Sequence, residues 1–310
     1  MAARQTPDGA RTVDERVEPA SPPTDRVVRV LGLLAEVDGA TVTEIAARLG
    51  LNRSTCSAIL TTLEQHGWVA RRGTRLYALG DGVLSLAEAV RTRLPILRSA
   101  AAVLDELTER TGCRSTLSRA DGDHLTVIAA AGESAAGGSS RGIGNRVPLR
   151  PPFGTVLAAW WTEGERRRWM DRSDLAPADR AALATYLDAV RQNGFGARQF
   201  DPANQRALAL IQDLIASLGS SGDQSELRED LVRILQSHGG SGYTLDELDA
   251  PGPLGISYLV APVFEDGAPR YQIELHVLRG DVDRDERRRF VELLLDAARE
   301  LSDSRAQPSA

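Results

Sequence analysis

The chain has 310 residues, 42% hydrophobic and 26% charged, with a formal net charge of −6, a composition that fits a small domain plus a larger one, each with its own core. Two cysteines argue against a disulfide framework, and the four dispersed histidines, His66, His124, His238 and His276, match no metal-ligand spacing. No apolar run approaches a membrane span and no signal-peptide core opens the chain, so no membrane partner is expected and the expected location is the cytoplasm.

Residues 1–23 are rich in proline, charge and small side chains and predict a disordered extension. Thr24 or Asp25 caps a first predicted helix, Arg26–Val37, with Val27, Val30, Leu31 and Leu34 facing inward and Asp38-Gly39 as its stop. Thr41 is a good N-cap, and Glu44 completes a capping box for a helix starting at Val42. Val42, Ile45, Ala46 and Leu49 share one face of it, and Gly50 ends it. Asn52 caps a second helix with Cys56, Ile59, Leu60 and Leu63 as its apolar stripe. Its other face carries Arg53, Ser54, Thr55, Ser57 and Thr61, slim polar groups able to enter a major groove. Gly67 stops that helix, Trp68 and Val69 turn inward, and Arg71 to Arg75 form a hairpin tip before Leu76, Tyr77 and Leu79. The pattern predicts a winged helix-turn-helix, residues 24–82, mainly α with a β-wing.

A small helical subdomain with a merely solvated polar face is the alternative. Charge speaks against it: Thr41 to Gly80 holds five arginines against two glutamates in a net acidic chain. All 37 basic residues are arginine, a usage better explained by genome composition than by phosphate binding. Double-stranded DNA is the expected partner. Thr41, Asn52, Arg53, Ser54, Thr55, Ser57 and Thr61 would read bases or hold phosphates, and Arg71, Arg72 and Arg75 would hold the backbone. Two half-sites imply a homodimer or a dimer of dimers.

After the wing, Gly82–Arg93 predicts a helix, with 83–94 as a linker, and Pro95 opens another to Arg110 that stops at Gly112. Alternation then predicts a hairpin, Ser115–Arg119 and His124–Ala130, followed by a Gly/Ser/Ala loop from Gly132 to Ser140. A helix near Phe153 contains Val156, Leu157, Trp160 and Trp161. Further helices are predicted at Glu163–Met170, Ala178–Asn193, Ala203–Leu218 and Ser225–Ser237, with a loop at Gly219–Asp223. Strands Ile256–Phe264 and Arg270–Leu278 return, and a last helix from Asp283, with Glu286 at the capping-box position, runs past Leu301. Helices on one side of an antiparallel sheet make an α+β domain, 95–302, before a flexible tail, 303–310.

Candidate chemistry is sparse. Glu274 and His276 share a strand face, which either lines a cavity or is solvated. Gly142 and Gly144 bring backbone N–H groups to a ligand carboxylate or form a plain turn. Tyr258 is core filler or a ligand contact. No nucleotide-binding glycine pattern follows Gly142, and no nucleophile elbow or metal motif occurs. Neither an enzyme nor a cofactor or metal is expected.

The run from Asp25 to Leu86 resembles the DNA-binding domain of the IclR family of bacterial transcription regulators. The match is carried by Gly50-Leu51, Ser54-Thr55, Ile59-Leu60, Thr62-Leu63-Glu64 and Gly67-Trp68-Val69; Ala58 stands where the family often has Arg or Lys. Pro95 to Asp303 resembles that family's GAF-like effector-binding domain, through Ile143 to Arg150 and Gly255 to Val263. Arg150 replaces a usual histidine, Pro151-Pro152-Phe153 replaces a small-residue stretch, Tyr258 stands at a common cysteine position, and Asn193 to Gly242 is longer than usual. The resemblance implies a repressor that responds to a small-molecule effector, a carboxylic or aromatic metabolite, with Trp160, Trp161 and Tyr258 favouring something bulkier. Gly142, Ile143, Gly144, Phe153, Trp160, Tyr258, Glu274 and His276 are the candidate effector contacts. The alternatives are a C-terminal domain that serves only oligomerisation or partner binding and, with less support, an enzyme with an accessory winged helix.

Overall fold

Helix α1, Pro22–Glu36, begins four residues before the expected start at Arg26. Pro22 and Pro23 stand in its first turn, where a missing N–H costs no hydrogen bond, so they belong to the helix and not to the extension. The computed structural model describes residues 20–133, 142–199, 227, 230, 231, 233, 234 and 242–303. The expected helix Ala203–Leu218, the loop Gly219–Asp223 and most of the extension, of the Gly132–Ser140 loop and of the tail lie outside these; of Ser225–Ser237 only five helical residues are described.

Helix α2, Val42–Leu49, carries the expected capping box: the Glu44 amide donates to Thr41 Oγ1 at 3.2 Å, and the Thr41 amide donates to Glu44 Oε2 at 2.8 Å. Gly50 ends it in the left-handed region at φ 64°. Helix α3, Arg53–Gln65, is capped by Asn52, whose Oδ1 accepts from the Thr55 amide at 2.8 Å. Strands β2, Val69–Arg72, and β3, Leu76–Leu79, form the wing, paired from Val69↔Leu79 to Arg72↔Leu76. A two-residue strand β1, Ala40–Thr41, adds to β3 on its other side; it is too short to show any alternation in sequence. Val30, Leu34, Ile45, Cys56, Leu60, Leu63, Val69 and Tyr77 are the core of this head. The wing exits hard against the end of α3: a Cβ on Gly80 would lie 2.3 Å from the Gly67 carbonyl oxygen, so only glycine fits.

The expected Gly82–Arg93 helix resolves into a 3-10 turn, Asp81–Val83, and α4, Leu84–Arg93, which has no buried residue. Helix α5, Leu97–Thr111, then buries Ala100, Val103, Leu104 and Leu107. Among the described residues six antiparallel strands follow: β4 Arg114–Asp121, β5 His124–Ala131, β6 Arg146–Pro148, β7 Gly196–Arg198, β8 Leu254–Glu265 and β9 Ala268–Val282, in the spatial order β6-β5-β4-β9-β8-β7. Strands β8 and β9 run longer than their alternation suggested because irregularities near Leu254, Ile256 and Val263 break the period without ending the ladder. Further helices given whole by the described residues are α6 Thr155–Ala158, α7 Glu163–Met170, α8 Pro177–Asn193, α9 Leu245–Asp249 and α10 Arg284–Asp303. The expected helix near Phe153 is thus a single turn, and α10 is capped by Asp283, whose Oδ1 accepts from the Glu286 amide at 2.8 Å.

Helices cover both faces of this sheet, not one. Leu117, Leu259, Ala261, Ile273, Leu275 and Val277 pack under α5 and α10, against Leu104, Phe290 and Leu294. Buried Arg287 of α10 donates to the carbonyls of Leu248, Gly252 and Val282, tying α9 and the following loop to the helix. The alternate residues, Thr116, Ser118, Tyr258, Val260, Gln272 and Glu274, face α6 to α8, whose own cluster includes Val156, Leu157, Trp169, Leu187 and Val190. Alternation along β9 records that this second face is polar; it does not record that a helical layer covers it.

Candidate functional site

Two places among the described residues gather polar side chains on one surface or around one space. The first is the outer face of α3 with the wing. Arg53, Ser54, Ser57, Ala58, Thr61 and Thr62 are exposed along α3, and Thr55 is half-buried. Asn52 and Thr41 are committed to their caps: Asn52 Oδ1 also accepts from Ser54 Oγ at 2.8 Å, and Thr41 is held by Glu44. The three wing arginines are not equivalent. Arg71 lies 3.2 Å from Glu64 Oε1, with its guanidinium 5.0 Å from the Tyr77 ring centroid, and Arg72 donates to the Asp38 carbonyl at 3.2 Å. Arg75, at the hairpin tip, is exposed and makes no hydrogen bond or ion pair to any described residue.

The second place is a small cavity of about 60 Å³ between α6, α8 and the polar sheet face, partly open to solvent. Phe153, Val156 and Val260 supply apolar walls, and Thr155, Tyr186, Arg198, Tyr258, Gln272 and Glu274 supply the polar groups. Arg198 reaches it from the edge strand β7, donating to Thr155 Oγ1 at 3.3 Å, with its guanidinium 5.7 Å from the Tyr186 ring. Burial lowers the Arg198 pKa, partly offset by Tyr186 and Glu274. Burial also pushes the Glu274 carboxyl up to about 7, against the pull of Arg198 and the Gln272 amide. His276, next along the same face, is pushed down to about 3 by burial and the charge of Arg114, so its imidazole is neutral; Nε2 sits 3.1 Å from Thr116 Oγ1. Gln272 donates to Glu274 through Nε2 at 3.4 Å, while its enclosed Oε1 has no hydrogen-bond partner among the described residues.

Residues 23–73 match the model of the IclR helix-turn-helix domain. The transcriptional regulator XynR of Escherichia coli (strain K12) is 30% identical over 181 residues, covering 55% of this chain and 71% of that protein. The chain belongs to the IclR family. It is a DNA-binding transcription regulator. Its fold agrees with solved family members. The IclR of Thermotoga maritima superposes with a TM-score of 0.56 at 16% identity, covering 91% of this chain and 97% of that one. An IclR homologue of Microbacterium hydrocarbonoxydans, solved in complex with 4-hydroxybenzoate, superposes with a TM-score of 0.52 at 17% identity, covering 92% and 100%.

In this IclR-family chain, Phe153, Tyr258 and Glu274 line the cavity together. His276 stands behind them, with its ring against Tyr258. Trp160 is not part of the lining: it packs edge-on against Phe264, ring centroids 5.5 Å apart. Gly142, Ile143 and Gly144 are not part of it either. They form a turn beside β5, held by the Gly144 amide donating to the Val127 carbonyl at 2.8 Å, and Ile143 is exposed. Four polar lining residues escaped the sequence reading: Thr155, Tyr186, Arg198 and Gln272. Gln272 carried a usable signal, since it shares strand parity with Glu274 and His276. Arg198 carried none, because its three-residue edge strand shows no pattern and its partners are remote in sequence.

Proposed function

We propose that this regulator is a cytoplasmic repressor released from its operator by a small molecule bound in the cavity under α6 and α8. The observation that carries the reading is the polar floor itself: Arg198, Gln272 and Glu274 converge on unfilled space, and a buried acceptor there is unsatisfied. Uncompensated polar burial of this kind is expensive, and convergent polar groups around an apolar-walled pocket are the usual makings of a ligand site. The 4-hydroxybenzoate held by the Microbacterium hydrocarbonoxydans homologue supports a small organic effector. DNA would be held by the exposed α3 face and the wing tip, as the head of residues 24–82. The protein would act as a homodimer or dimer of dimers; α4 leaves Leu84, Leu86 and Val90 exposed, and Leu86 and Val90, four apart, make a strip suited to a second copy. Differential affinity of the effector for the two spacings of the DNA heads would shift the equilibrium, with no catalytic step.

The test is footprinting on the DNA upstream of the regulator's own gene, with and without a fractionated metabolite pool. Protection that disappears on adding a fraction supports a released repressor. Protection that no fraction alters supports a C-terminal domain that only oligomerises.

A further inference from the structure

Resting on the reading that this cavity holds the effector, we infer that the end of the effector against the sheet is a hydrogen-bond donor, a hydroxyl or an ammonium group on a compact apolar body. Gln272 is only 6% exposed and lines the cavity. Its Nε2 is spent on Glu274 Oε2, which sets the amide's orientation and leaves Oε1 as an enclosed acceptor without a donor among the described residues. Two residues along the same strand face, Glu274 offers a second acceptor, its side chain 21% exposed. The one acceptor on the floor that the described residues leave unsatisfied is therefore Gln272 Oε1, with the Glu274 carboxyl beside it. A ligand carboxylate brings no donor to that oxygen, whereas a hydroxyl or ammonium does. Among the described residues Arg198 is the one cation lining the cavity; Thr155 Oγ1 and the Tyr186 ring position it, and its charge is opposed by Glu274. Phe153, Val156, Tyr258 and Val260 leave an apolar wall for the rest of the molecule.

The test uses the full chain and three probes with one ring and different heads: benzyl alcohol, benzylamine and benzoate, titrated by ligand-observed NMR, which reads weak affinities. The expected result is that at least one donor-bearing probe binds about tenfold more tightly than benzoate. Gln272→Met, which removes the amide at similar volume, should weaken that probe about fivefold to tenfold. Its melting temperature should hold, because an unpaired acceptor has been removed. Glu274→Gln separates the two heads, weakening benzylamine more than benzyl alcohol if the ammonium is preferred. Benzoate binding as tightly as both donor probes overturns the inference and leaves the effector reading standing, as does Gln272→Met with unchanged affinity. Binding of none of the three overturns the effector reading of this cavity and the inference with it.

Discussion

The rings of Tyr258 and His276 meet edge to face across a register pair of β8 and β9, centroids 5.1 Å apart and planes at 74°. The tyrosine is 3% exposed yet lines the cavity, so one ring both closes over the neutral imidazole and walls the site. Tyr258→Ala should therefore lower stability by roughly 3 kcal/mol or more, through the void and the uncovered imidazole. Tyr258→Phe keeps the ring and should cost a bound ligand that uses the hydroxyl about 0.5–1.5 kcal/mol. Urea unfolding of both variants checks this; an unchanged midpoint for the alanine variant would show that the ring is not core.

The same floor makes stability depend on pH in a direction that identifies Glu274. Its pKa rises from 4.5 to about 7 in the fold, with Arg198, Gln272 and His276 facing it, so the folded state keeps a proton that the unfolded chain gives up. The stability it contributes is complete below its unfolded value and is lost as pH rises through about 7. The ceiling is about 3 kcal/mol, and partial exposure reduces the expectation to about 1–2 kcal/mol. Glu274→Gln should gain on the wild type between about pH 5 and about pH 8. Urea melts at both ends decide it: a constant gap removes Glu274 as the titrating group.

His276 works in the opposite sense. Held from 6.5 down to about 3, it refuses a proton that the unfolded chain accepts, so stability falls as pH drops below 6.5. Arg114, on the neighbouring strand, reinforces the neutral form. His276→Gln should flatten the acid limb of the stability profile, measured by thermal melts between about pH 4 and about pH 7. An acid limb of unaltered slope would point to other titrating groups.

On the DNA side, Arg75 is the wing arginine with no commitment among the described residues, while Arg71 and Arg72 have partners within the head. Arg75→Ala should weaken binding about equally across DNA sequences and flatten the salt dependence by roughly one unit for each phosphate no longer neutralised. Anisotropy titrations over a range of salt measure that slope. No change in it would take the wing tip off the DNA-binding surface.

Asn52 should act first as a cap. Asn52→Ala should cost about 1 kcal/mol of stability, and Asn52→Ser should retain most of it by capping with its hydroxyl. Thermal melts check the pair. A serine variant that is fully stable but binds operator poorly would add a base contact to the role of Asn52.

Much of the head was legible in sequence because its determinants are local. The Thr41–Glu44 box, the Asn52 cap and the left-handed Gly50 each act within one turn, and their chemistry needs no knowledge of the rest of the chain. The same holds for the β4–β5 hairpin and the Asp283 cap of α10. The cavity side was legible only as polarity. The order Gln272, Ile273, Glu274, Leu275, His276 declares one polar and one apolar face, and that much is a property of the strand. Whether the polar face meets water or a helical layer depends on where α6 to α8 fall, and on an edge strand of three residues that brings Arg198 to Glu274. The tertiary structure decides this, because desolvation and charge pairing are set by what packs across a face, and a strand's own residues cannot record it.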